Sequence, residues 1–354
     1  VGSLHKGQGV VKALFAEADT PLELNTSWWR CRIPAYRLKQ AGHDTLVAHN
    51  SFVFTNSPPQ QVADFLHTAE VVVVERVFVD FFIDKIKEWK ALGKKVVGTF
   101  DDAYHLIDPT KDTGKFWRGK KTDYNTGNFK QFRTNLSLFD RVIVPSHVLA
   151  DDYKPYCKDV RYVANYTMKE LWENVRKRPP DSNIVIGWGG STGHVKSWRD
   201  SGIITALARL QKKYPRMMVR IYGGGTEIPD YLKKAGVKCE FHGWQQFNDW
   251  PKHIAQFDVG LAPLAGEYDR RRSTVKVLEY GMAGIPWVAS EGEPYQDAKG
   301  GILTPNRPDG WQHAIDSILS GWTDGKHLGY VGYEWAMAQT AECVPAYEKA
   351  LMEW

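Results

Sequence analysis

Along the chain, short β-branched runs alternate with stretches whose apolar residues recur at helical spacing. Val10 to Phe15 predicts a first strand, and Trp29 to Ala41 a helix that stops at Gly42. Thr45 to His49 predicts the next strand, and the all-valine run Val71 to Val74 suits a strand buried on both faces. Phe81 to Leu92 reads as a helix ending at Gly93, Val96 to Phe100 as a strand, and Arg141 to Val144 as another. This rhythm predicts a parallel sheet with helices on both faces.

A second series begins near residue 183. Asn183 to Gly187 predicts a strand followed by a Gly-rich turn, and Ile203, Leu207 and Leu210 form a helical stripe. Met217 to Tyr222 predicts a strand running into Gly223-Gly224-Gly225, followed by strands at Val237 to Phe241, Val259 to Ala262 and Trp287 to Ser290. The polar, Pro-rich stretch from Arg176 to Asn183 reads as a linker. The chain therefore divides into two similar α/β halves, residues 1–180 and 181–332, followed by a helix from Tyr333 to Trp354. Parallel sheets take ligands at the carboxyl ends of their strands, so the expected site is a cleft between the halves.

One stretch breaks the rhythm. Between Asp108 and Thr134 seven basic residues, among them Lys120 and Lys121, stand against Asp112 and Asp123, with Phe116, Trp117, Tyr124, Phe129 and Phe132 interleaved. It reads either as a solvated excursion or as an acceptor-binding element, because long loops in compact domains are often functional.

Composition narrows the class. A length of 354 residues suits roughly two domains. Hydrophobic residues at 43% and charged residues at 25% exclude a disordered chain or a small disulfide scaffold. Lys and Arg number 46 against 41 Asp and Glu, a net charge of +5 that permits an anionic partner without demanding nucleic acid. Cys31, Cys157, Cys239 and Cys343 lie far apart with no CxxC pair, which argues against a zinc or redox motif and for a reduced, cytoplasmic chain. No apolar run approaches the roughly 18 residues of a membrane span, and Val1 to Gly9 has no apolar signal core. Fourteen tryptophans are many for this length. They suit core packing, with stacking on a sugar or base as the alternative.

The most specific chemistry lies from Ser273 to Ser290, STVKVLEYGMAGIPWVAS. A helix starting near Ser273 and Thr274 offers free N–H groups and a positive dipole end to a diphosphate. Lys276 adds a point charge. Glu279, one turn on, suits two adjacent sugar hydroxyls. The other reading is a surface Glu–Lys pair. The run Asp269-Arg270-Arg271-Arg272 is either a phosphate clamp or a solvated charge run. Gly187-x-Gly189-Gly190 follows a strand, but the G-x-G-x-x-G spacing fails at Thr192 and no Walker Lys-Ser/Thr pair exists. A dehydrogenase or P-loop enzyme is therefore disfavoured. Asp101-Asp102 lacks the spacing of a DxD metal motif, so no metal is assigned.

The Glu279 segment, with Met282-Ala283-Gly284 and the turn Gly284-Ile285-Pro286, resembles the C-terminal signature of family 4 retaining glycosyltransferases of the GT-B fold. Phe100-Asp101-Asp102 resembles an element of a branch with phage and bacterial members. Val144-Pro145-Ser146 and Val163-Ala164-Asn165 look like the end of that family's first domain. Ile186 to Ser191 with His194 resembles the first strand and loop of its second, and Phe241-His242-Gly243-Trp244 the turn beside the base. The family's first glutamate, eight residues before Glu279, is here Arg271.

The resemblance implies two Rossmann-like, doubly wound parallel-sheet domains facing across a cleft, with the terminal helix packing back on the first. It implies sugar transfer from a nucleotide-diphospho-sugar co-substrate with retention and without metal. Gly190, Ser191, His194, Lys196, Arg271, Arg272, Lys276 and the backbone at Ser273 and Thr274 would serve the phosphates. Glu279 would hold the ribose, Gly243 and Trp244 would border the base, and Gly223 and Gly224 would allow close approach. Asp101, Asp102 and His105 would lie across the cleft, and Trp117, Lys120 and Lys121 on the acceptor side. The acceptor stays open between a glycan, a lipid-linked sugar and DNA, as does the oligomeric state. Three alternatives remain: a phage-type DNA (hydroxymethyl-pyrimidine) glycosyltransferase, a GT-B sugar-nucleotide epimerase, and a donor-binding module without catalysis.

Overall fold

The computed structural model describes residues 9–19, 25–76, 81–107, 128–177 and 183–354. These form two compact units. The first contains residues 26–164 and 342–354 together with the strand before residue 20, and the second contains 165–341.

The first unit is built on a parallel sheet of β1 (Lys12–Glu17), β2 (Asp44–His49), β3 (Val71–Glu75), β4 (Lys95–Thr99), β5 (Arg141–Val144) and β6 (Val160–Tyr162), in the order β2-β1-β3-β4-β5-β6. Phe15 stands opposite Val47 on one side and Val73 on the other. Every residue of β3 is buried, as a strand covered on both faces requires. The helices are α1 (Ile33–Gln40), α2 (Asn50–Val53), α3 (Gln60–Thr68), α4 (Phe81–Ala91), α5 (Asn128–Leu136) and α6 (His147–Tyr153). The strand order reverses between β1 and β3, so the carboxyl ends of these two strands form the sheet's switch point.

In the second unit the sheet comprises β7 (Ile184–Gly190), β8 (Met217–Gly223), β9 (Cys239–His242), β10 (Val259–Ala262), β11 (Trp287–Ser290) and β12 (Gly301–Thr304). Its order is β12-β11-β10-β7-β8-β9, so here the switch point lies between β7 and β10. Helices α7 (Val195–Asp200), α8 (Ile203–Lys213), α9 (Ile228–Lys234), α10 (Trp250–Ile254), α11 (Val275–Met282), α12 (Pro308–Leu319) and α13 (Gly325–Ala341) follow. Ile203, Leu207 and Leu210 of α8 pack into a core shared with Trp188, Trp198 and Trp311. Seven of the tryptophans are buried in the two units' interiors: Trp89, Trp172, Trp188, Trp198, Trp250, Trp287 and Trp311. For most of these, packing is the role.

Three features differ from the sequence expectation. The units divide at Ala164, not at 180. Val163 is tied into the first sheet by its N–H to Val144 and by its carbonyl, which accepts from Arg30 at 2.7 Å. Trp172 already belongs to the second core. The terminal helix is two helices. α13 packs on α11, with Gly332 so close that a Cβ on Gly281 would meet its carbonyl oxygen at 2.6 Å. α14 (Cys343–Met352) belongs to the first unit, where Arg141 donates to the Ala350 and Glu353 carbonyls and Glu348 pairs with His43. Finally, Phe132 of α5 is fully buried against Phe100, Tyr104 and Tyr153. It is a core residue rather than a stacking platform. Trp117, Lys120 and Lys121 lie outside the described residues.

Candidate functional site

The carboxyl edge of the second sheet gathers most of the residues singled out above. β7 ends in Gly187-Trp188-Gly189-Gly190, and its glycines let neighbouring groups reach the strand. A Cβ on Gly189 would stand 2.3 Å from the Trp250 ring, so only glycine leaves that ring its place. Gly223, at the end of β8, has φ +98°, and a Cβ there would meet the Gly190 carbonyl at 2.4 Å. The Gly190 carbonyl accepts the Gly224 N–H at 2.9 Å, and the Gly223 N–H donates to Gly243 at 3.2 Å. Three strand ends are thus laced together by backbone. Trp244, half exposed, reaches over Gly224.

Basic groups surround this lacing. Lys276, in the first turn of α11, donates to the Gly189 carbonyl at 2.8 Å and lies 5.3 Å from the Trp188 ring centre. Arg272 pairs with Asp269 at 3.3 Å and stacks on Tyr268. His194 is buried with its ring edge-on to Trp188, and its Nδ1 has no hydrogen-bond partner. Burial, then the charges of Lys276 and Arg272, push its pKa well below the ordinary histidine value. Burial and these two cations together favour its neutral form.

Glu279 lies deeper. It is buried, and its Oε2 accepts the Trp250 indole N–H at 3.0 Å. Burial pushes its pKa up to about 7, against the opposing effects of the Trp250 hydrogen bond and Lys276. It is not the surface partner of an ordinary Glu–Lys pair.

The DRRR run splits by role. Asp269 is a buried organiser that accepts the Ser197 hydroxyl and the Ala265 N–H. Arg271 donates to the Glu267 carbonyl at 2.6 Å and pairs with the Glu267 carboxylate at 3.1 Å, while Arg270 pairs with the same carboxylate in solvent. Ser273 accepts from Asn165 at 3.0 Å, and Thr274 opens α11 without a side-chain cap. Ser191 precedes the single turn that carries His194. Lys196 is mostly exposed and pairs with Asp200 one turn on, away from this group.

The remaining candidates belong to the first unit. Asp101 accepts from the Thr26 hydroxyl at 2.9 Å and from the Tyr104 hydroxyl. The Asp102 carbonyl accepts from Tyr153, and His105 pairs with Asp152 at 3.0 Å. Among the described residues no group of three or more His, Cys, Asp or Glu is placed to hold a metal ion, and no helix is long and apolar enough to cross a membrane.

Sequence reasoning missed Trp250, Asp269 and Ser197. Trp250 lies 29 residues before Glu279, and nothing local links the two. Asp269 was visible only as the one acid in a basic run.

Residues 185–321 match the family model described as "Glycosyl transferases group 1". No curated protein matches the chain. Among solved structures, a glycosyltransferase from Rickettsia africae superposes with TM-score 0.65 at 12% identity, covering 98% of this chain and 99% of that one. A sucrose-phosphate synthase from Thermosynechococcus elongatus gives 0.63 at 13%, covering 96% and 98%. An Anabaena protein in complex with UDP gives 0.63 at 13%, covering 97% and 100%. At these identities the likeness establishes the fold, which is GT-B.

Proposed function

We propose that this chain is a glycosyltransferase that takes a nucleotide-diphospho-sugar donor on the carboxyl edge of its second sheet. The observation that carries the reading is the convergence of three groups on the glycines at the end of β7 and just after it: Lys276 donates to the Gly189 carbonyl, the Arg272 guanidinium stands against Gly193, and the unpartnered His194 Nδ1 follows in the same turn. A diphosphate there meets two cations, the positive dipole end of α11, and a glycine backbone that leaves room for close approach. It also offsets the repulsion that Lys276 and Arg272 add to burial in lowering the His194 pKa. The family match over 185–321 and the UDP bound in the Anabaena neighbour support the same reading.

In this reading Glu279 accepts two ribose hydroxyls in its ionised form, held in place by Trp250. Trp244 offers its exposed face to the base. In the reaction the bond between the anomeric carbon and the diphosphate oxygen breaks. A new bond forms to the acceptor hydroxyl oxygen on the same face, and the hydroxyl proton passes to the departing phosphate. The chain's contribution is electrostatic, because negative charge grows on the diphosphate where Lys276 and Arg272 already point. No resident metal is assigned.

The test is a thermal-shift panel of UDP-, GDP- and ADP-sugars on wild type and Lys276→Ala. A ligand at about 100 times its Kd adds roughly 2.7 kcal/mol of apparent stability. A base-specific shift in wild type, lost in the variant, supports the reading. No shift with any of the three overturns it. Transfer that survives a chelator keeps the metal-free assignment; rescue by Mn²⁺ or Mg²⁺ ends it.

A further inference from the structure

At the switch point of the first sheet a different construction appears. Glu75, the last residue of β3, is fully buried. Its Oε2 accepts the Ala18 N–H at 2.8 Å, the Ser27 hydroxyl, and the Cys31 thiol at 3.8 Å. Its Oε1 receives no hydrogen bond and faces Arg76 Nε at 3.4 Å. Arg76 has φ +52°, which no other non-glycine described residue shares in sign. L-residues adopt that region only at a cost, so something must hold it there. Its N–H donates to the Thr99 carbonyl at 3.1 Å, and its guanidinium pairs with Glu75 and with Asp19. The Arg76 and Asp19 side chains are 20% and 30% exposed, so this pair has a route to solvent that Glu75 lacks.

We propose that Glu75 and Arg76 form a proton-operated latch at the carboxyl end of β3. With Glu75 ionised, its Oε1 holds the guanidinium and the left-handed turn. A proton taken from solvent onto Oε1 cancels the ion pair. Arg76 then keeps the Asp19 pair and the weaker pull of Asp101, and the end of β3 relaxes. The remaining groups around the latch are already engaged. Glu17 pairs with Arg32, Asp101 accepts from Thr26 and Tyr104, and Arg30 donates to Thr99 and Val163. His49 acts on Glu17 from the end of β2.

Burial sets the working range. It pushes Glu75 up to about 7, against Arg76, Ser27 and the Ala18 N–H, which favour the carboxylate. The latch is therefore open on the acid side of neutrality and closed on the alkaline side. It does not depend on sugar transfer, and its test needs no substrate.

The experiment is hydrogen–deuterium exchange of the whole protein from pH 5.5 to 8.5, corrected for intrinsic exchange and read at the Arg76 and Ala18 amides. In wild type, protection at Arg76 should rise several-fold through pH 7. Glu75→Gln, a neutral isostere, should stay weakly protected throughout. Arg76→Gly, which adopts the turn without a guanidinium, should show no step, and it decides the matter if Glu75→Gln does not fold. His49→Gln should leave the step in place. A wild-type profile without a step, or a step that persists in Arg76→Gly, overturns the latch.

Discussion

The two units share a sheet plan and differ at the edge where such sheets take ligands. In the second, the switch-point strand ends in glycines, and cations converge on bare backbone. In the first, the switch-point strands end in Glu17 and Glu75, each matched by an arginine close in sequence or space. On the proposed function, one edge receives negative charge from outside. The other neutralises its own. The topology alone distinguishes nothing here, since both edges arise from the same reversal of strand order. Only the residues that end the strands decide which edge is a binding surface.

The sharpest way to break this contrast is Lys276→Ala. If the second edge carries the departing diphosphate, transfer should fall by about 10²–10³, the loss expected for one preorganised charge partner. Steady-state kinetics with the donor identified by thermal shift measure it. A loss under tenfold would leave the glycine turn without a charge partner and undo the contrast.

Each edge also hides a carboxyl that burial pushes up to about 7, Glu279 in the second unit and Glu75 in the first, where burial raises Glu17 as well. For both, the folded pKa of about 7 stands above the ordinary carboxylate value of about 4.5. The folded state then holds a proton that the unfolded state releases. The stability each contributes is complete below about pH 4.5 and is lost as pH rises through 7. For one group the span corresponds to something on the order of 3 kcal/mol. Urea midpoints of wild type should fall between pH 5 and 8, and Glu279→Gln should flatten that fall. An unchanged slope in Glu279→Gln would mean that this carboxyl does not titrate as its burial demands. For donor binding the sign reverses, because the ionised Glu279 accepts hydroxyls, so affinity should rise over the same interval.

Gly223→Ala probes the backbone lacing. The variant must hold φ +98° with a methyl 2.4 Å from the Gly190 carbonyl, so the strand ends must part. Strain of this kind costs about 1–3 kcal/mol. The melting temperature should drop and donor affinity with it. A variant that keeps both would show that three linked strand ends are not needed for the site.

How far the sequence reached follows the same division. The valine run at β3, the stripe on α8 and the strand at Arg141 to Val144 were legible because burial imposes period and composition locally. β6 and β12 were not, since one is three residues long and the other begins with glycine. The Ser273 to Ser290 stretch stood out as a candidate because the helix start, the lysine and the glutamate lie within two turns of each other. Trp250 and Asp269 were not, because their importance comes from partners 29 and 72 residues away. Glu75 did leave a signal: a charged residue directly after four fully buried valines has no route to water except through its own partners.

The smallest expected effect separates a built site from a diffuse positive field. Lys196 and Lys276 belong to the same unit, and both were candidates for the phosphates. Lys276 is committed to the glycine turn through the Gly189 carbonyl, while Lys196 extends into solvent and pairs with Asp200 on its own short helix. An exposed pair of that kind contributes little to stability and is screened by salt. Lys196→Ala should therefore change the unfolding free energy by no more than about 0.5 kcal/mol and leave donor affinity within about twofold. Isothermal titration at low and at physiological salt checks both. If Lys196→Ala weakens the donor as strongly as Lys276→Ala does, the second edge works by summed charge rather than by placed groups. The two edges would then differ in net sign alone, and the convergence of Lys276, Arg272 and His194 on one turn would lose its meaning.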